Sequence, residues 1–120
     1  MAKLIPHPSI ISAAGTGNKI ISEFFGLVNS GNSDISVAHM ISPNGWSEPG
    51  QTPEFDEYTV VLRGKLKVET EKEVFIVTAG QAIFAEKNKW VRYSTPLEDG
   101  ADYIAICIPA FSPDTVNRDI

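Results

Sequence analysis

Glu57-Tyr58-Thr59-Val60-Val61-Leu62-Arg63-Gly64-Lys65-Leu66-Lys67-Val68-Glu69 carries the clearest structural signal in this chain. Its second half alternates polar and apolar side chains without a break, which gives a strand one wet face and one buried face. Its first half is rich in the β-branched and aromatic residues that suit a pleated surface. Only Arg63-Gly64 separates the halves. Because glycine takes a positive φ at little cost, the segment reads as two strands joined in a tight hairpin.

The same rhythm extends in both directions. Downstream come Val74-Phe75-Ile76-Val77, a turn at Ala79-Gly80-Gln81, and Ala82-Ile83-Phe84-Ala85. A second turn at residues 86–89 leads to Trp90-Val91-Arg92-Tyr93-Ser94, and a break over 96–100 precedes Asp102-Tyr103-Ile104-Ala105-Ile106-Cys107-Ile108. This last run is apolar on both faces, so it is expected to be covered on both. Upstream lies Ile35-Ser36-Val37-Ala38-His39-Met40-Ile41. Short strands so regularly spaced imply an all-β sandwich or barrel. The expected organisation is one domain over 1–120, with an N-terminal arm (1–18), a barrel core (33–110) and a tail (111–120). Residues 19–28 stay open: Ile20, Ile21, Phe24, Phe25, Leu27 and Val28 fall at helical spacing, while the β-branched content and Gly26 favour a strand. Ser112-Pro113-Asp114 has the cap, first-position proline and early acid of a short C-terminal helix.

Composition narrows the function classes. The chain has 120 residues, 42% of them apolar, which fits one globular domain with a real core. Its net charge is −5 and no Lys/Arg cluster interrupts the acidity, so a nucleic-acid partner is not expected. No apolar run is long enough to span a membrane, and the first residues resemble no cleavable leader. Cys107 is the single cysteine, which suits a reducing, cytoplasmic setting.

The stretch from Gln51 to Gly64 resembles the first motif of the cupins: His-x-His, three or four residues, Glu, six residues, Gly. Glu57 and Gly64 keep that spacing. Gly80, Glu86, Asn88 and Val91 are similar to the second motif, Gly-x5-Pro-x-Gly-x2-His. The resemblance implies a jelly-roll barrel, also described as a double-stranded β-helix. It is greatest to the ethanolamine-utilisation branch, which also lacks the histidine set. At the family's metal positions this sequence places Gln51, Pro53 and Val91, and only Glu57 remains. Proline and valine offer no donor, and an amide oxygen is a poor ligand for a transition metal. No cofactor is therefore expected; a nonstandard divalent ion held by His39 and Glu57, with help from Gln51 or Glu54, is the minority alternative.

Strand alternation then nominates the site. If Glu57 points inward, as its family counterpart does, Thr59 shares its face, and Tyr93 lies two residues along from Val91. His39 shares a face with Ile35, Val37 and Ile41, so it too is expected inside, where His39 and Glu57 would form an acid–base pair or a mutually satisfied buried pair. Gln51, Thr59 and Tyr93 are candidate ligand contacts. Trp46 is either a lid over the barrel mouth or a dimer contact. The leading functional expectation is a barrel that binds a small organic molecule without standard metal chemistry. Its alternatives are an isomerase, epimerase or lyase using His39 and Glu57, and a structural homodimer subunit with a vestigial pocket.

Overall fold

A computed structural model describes all residues from Met1 to Ile120. Nine strands and no helix make up the chain: β1 (Ser9–Ile11), β2 (Ile20–Phe25), β3 (Ser36–Ser42), β4 (Trp46–Ser47), β5 (Asp56–Thr70), β6 (Val74–Thr78), β7 (Ala82–Ala85), β8 (Val91–Thr95) and β9 (Ala101–Ile108). All pairings are antiparallel. One sheet runs β1-β2-β3-β9-β5-β7, the other β6-β5-β8-β4, and they curl into a barrel joined through β5. The barrel begins before residue 33, because β1 and β2 extend the first sheet. Residues 20–25 are strand, and β-branching outweighs the helical spacing there.

Glu57 to Glu69 is no hairpin. It is the middle of a single 15-residue strand that belongs to both sheets. Its first half pairs with β7 and β9, its second with β6 and β8. The changeover is a bulge between Val61 and Arg63, beside Gly64 at φ 77°. Val61 and Leu66 are fully buried although they are an odd number of residues apart, so the bulge shifts the inward phase by one. Without it Arg63 would point into the core. Gly64 also lies against the Gly100 carbonyl, where a methyl group would collide.

Ser112-Pro113-Asp114 opens a turn, not a helix. Thr115 and Val116 both donate backbone hydrogen bonds to Ser112 O, and at Asn117 φ becomes positive, which ends the turn. The tail instead runs along the barrel: Asp119 N donates to Gly50 O, and Trp90 Nε1 donates to Asp119 Oδ2 at 2.8 Å.

The core is uneven. Trp46, Val61, Leu66, Val68, Val77, Val91, Tyr93, Ala101 and Tyr103 pack one part of the barrel solid. A smaller cluster of Phe55, Cys107 and Val116, flanked by Phe111, seals the tail against the wall. Between the two lies a cavity. The outer face of β9 is only half-buried, with Ile108 exposed, so this strand is not covered on both sides within one chain.

Candidate functional site

The cavity measures about 70 Å³, and every charged group in it arrives from a different part of the chain. β3 contributes Ser36, Ala38 and Met40, all inward by alternation; β5 contributes Glu57, β8 Tyr93, and β9 Tyr103, Ala105 and Cys107. Lys19 enters from just before β2, Glu48 and Gln51 from the segment after β4, and Arg118 from the tail. These small and polar side chains leave the space that larger residues fill elsewhere in the core.

The charges are arranged in two groups. Arg118 Nη1 donates to Glu48 Oε2 at 3.0 Å and to Gln51 Oε1 at 2.9 Å, which ties the tail across the mouth. Lys19 Nζ sits 3.8 Å from the centre of the Trp46 ring and donates to Tyr103 Oη at 2.8 Å. Tyr103 Oη lies 3.0 Å from Ser42 Oγ. Burial pushes the Lys19 amine down to about 8, against the opposing pull of Glu48 and Glu57. Burial pushes Glu57 up to about 7, Glu48 adds to the shift, and Lys19 and Arg118 moderate it. Burial also raises Glu48, Tyr93, Tyr103 and Cys107. Glu23, on the cavity wall, is committed to structure: its Oε2 accepts from Val28 N and Asn29 N at 3.1 and 2.8 Å.

No protein-family model matches the chain. Solved structures do. The chain superposes on the polyketide cyclase RemF of Streptomyces resistomycificus with a TM-score of 0.75 at 16% identity, covering 100% of this chain and 87% of that one. An RmlC-like cupin from Shewanella frigidimarina gives 0.72 at 16%, covering 90% and 89%, and ethanolamine utilisation protein Q of Salmonella typhimurium gives 0.67 at 21%, covering 87% and 97%. The chain has the cupin fold. Among curated proteins, an endoribonuclease YbeY from Myxococcus xanthus is 38% identical over 117 residues, which is 98% of this chain but 37% of that protein. The cupin barrel therefore spans little more than a third of its curated relative. That relative overturns the expectation of a small-molecule-binding cupin, together with its two alternatives, because a protein matching nearly the whole chain carries an RNA-cleaving name.

The cupin alignment itself holds in space. Gln51 and Val91, one from each motif, pair through two backbone hydrogen bonds of 2.9 Å, so the two motifs face each other. The donors do not suit a cupin metal. Pro53 and Val91 are buried and offer none, and the Gln51 oxygen is held by Arg118. No group of three or more His, Cys, Asp or Glu side chains stands close enough to hold an ion. Two cations, Lys19 and Arg118, occupy the pocket beside Glu57.

Glu57, Gln51 and Tyr93 line the cavity as expected. Thr59 points inward and is buried, but it lies in the packed wall away from the cavity, its hydroxyl without a partner. Trp46 is neither lid nor dimer contact: it is 1% exposed, core-packed, and donates through Nε1 to Ala14 O. His39 is on the wrong side. Ser36, Ala38, Met40 and Ser42 face inward on β3, so His39 faces outward, with Nε2 4.0 Å from Asp102 Oδ2. The pair His39 and Glu57 therefore shares no compartment and can act neither as acid and base nor as an ion site. The error has a physical source: a cupin with a polar cavity turns its small and polar residues inward, so the more apolar face of β3 is the outer one. Tyr103 was legible from parity along β9. Lys19, Glu48 and Arg118 come from irregular segments, which carry no periodic signal.

Proposed function

We propose that the chain acts on RNA phosphodiesters as the barrel module of an endoribonuclease. The likeness to the Myxococcus protein supports the substrate class, and the observation that carries the chemistry is a largely buried Glu57 sharing one cavity with Lys19 and Arg118. In its ionised form Glu57 takes the proton from a ribose 2′-hydroxyl, whose oxygen attacks phosphorus. The bond to the 5′ oxygen breaks, and that oxygen takes a proton from the Lys19 ammonium. Arg118 and Lys19 offset the charge that builds on the phosphoryl oxygens. Glu57 then returns its proton to Lys19 through water. A base near 7 and an acid near 8 are matched to this exchange at neutral pH. The cavity admits a phosphate-sized group and no base, so the strand lies across the mouth. The chain's net charge of −5 gives no long-range attraction for the RNA backbone, so binding rests on the cavity cations and is measured at low salt.

Incubation of the purified chain with an end-labelled single-stranded RNA tests this reading. Cleavage should follow a bell-shaped pH profile with limbs near 7 and 8, and E57Q should lower the rate at least tenfold. Intact RNA after prolonged incubation at low salt would overturn it.

We also propose that the chain pairs with a second copy and works in the cytoplasm. Tyr58, Val60, Phe84, Ile104 and Ile106 form one partly exposed apolar surface on the outer face of the first sheet. Such a face suits a twofold interface in which each subunit covers the other. His39, Arg63 and Asp102 supply its polar groups, with Arg63 Nη2 2.9 Å from Asp102 Oδ1. An unpaired, buried Cys107 suits a reducing compartment.

A further inference from the structure

Of the seven lysines, Lys19 alone lines the cavity, and it joins none of the four salt bridges. Glu48, the carboxylate that would otherwise pair with it, is bound to Arg118. The only hydrogen bond Lys19 makes is to the neutral phenol of Tyr103, and the Trp46 ring covers its other side. No carboxylate lies within hydrogen-bond reach of this amine, and its burial lowers its basicity against the weaker pull of Glu48 and Glu57. Glu57, on the same cavity wall, can move protons at neutral pH.

We infer that Lys19 is a carbonyl-reactive amine, which condenses with a short aldehyde or ketone entering the cavity to form an imine. This activity goes beyond RNA cleavage and does not depend on it. The unprotonated Nζ adds its lone pair to the carbonyl carbon, and the carbonyl oxygen takes a proton from the Glu57 carboxyl, giving a carbinolamine. The nitrogen releases a proton to the Glu57 carboxylate. Glu57 returns it to the hydroxyl group, which leaves as water as the C=N bond forms, and the iminium nitrogen then gives its remaining proton to the Glu57 carboxylate. Amine and carbonyl thus give imine and water, with nothing oxidised or reduced. The size of the cavity sets the substrate class: at about 70 Å³ it admits a short fragment and no large ring system, so the reacting portion is small.

The test is reductive trapping. The chain is incubated with glycolaldehyde and cyanoborohydride near pH 7.5, and adducts are located by peptide mapping, with the exposed amino terminus and the six other lysines as internal standards. Lys19 should be modified at least tenfold faster than any of them. K19R should lose that adduct and keep the surface labelling. E57Q should slow the Lys19 adduct at least tenfold without altering the others. Modification of Lys19 no faster than that of the surface lysines in the folded wild-type chain would overturn the inference. RNA cleavage is measured without aldehyde, so the two readings fail independently.

Discussion

Burial in the barrel pushes the Glu57 carboxyl up, and this has a consequence for stability. Its folded value of about 7 lies above the ordinary 4.5, so the native state binds a proton that the unfolded chain has released. Stability tied to this group is complete below pH 4.5, declines as pH rises towards 7, and stays low above that. E57Q removes the ionisation. It should therefore match wild type near pH 4.5 and melt on the order of 5 °C higher at pH 8; an equal difference at both pH values would contradict this. Arg118 makes the opposite case. Its removal in R118M leaves the buried Glu48 carboxylate without its cation, and the expected loss is about 3 kcal/mol in chemical denaturation at pH 7. An unchanged midpoint would show that Glu48 rehydrates freely. The sequence disclosed these residues unequally. Glu57 and Tyr93 were readable because motif spacing and alternation fix their direction, whereas Lys19 and Arg118 sit in irregular backbone that no local pattern orients.

β5 is the element on which the architecture turns. A regular alternation identifies a strand but does not show which sheet it joins, and Arg63-Gly64 has the same composition whether the chain reverses or passes through a bulge. Long-range contact decides between them, because Gly64 rests against Gly100 from the segment before β9. G64A should cost about 3 kcal/mol, combining a left-handed alanine with a backbone collision. Urea melts of the two proteins check it, and a loss below 1 kcal/mol would mean the changeover is tolerant. β3 shows the same limit at the level of a face. Its period was plain, but which side faced inward depended on the cavity being polar, a property of the assembled barrel. The tail likewise had a helix-start signature and formed one turn, because its backbone is drawn out to pair with Gly50 and Gln51.

At the scale of the molecule, two surfaces follow from one choice made where the first sheet borders the cavity: small and polar residues of β3 inward, larger apolar ones outward. The outer face of the first sheet is the proposed seat of a second copy, and I104E, which places a carboxylate in the middle of it, should convert a dimer into a monomer in sedimentation at micromolar concentration without unfolding the barrel. A wild-type chain that is monomeric throughout would refute the interface. The inner surface is the one on which the account rests: a cavity whose burial pushes the Glu57 carboxyl up to about 7 beside an amine with no carboxylate in hydrogen-bond reach. Carbon-13 NMR of the glutamate carboxyls, with Glu57 assigned by its loss in E57Q, measures this directly as pH is varied. The resonance should titrate near 7; a midpoint near 4.5 would show that the cavity is wet and the acid–base pair does not exist.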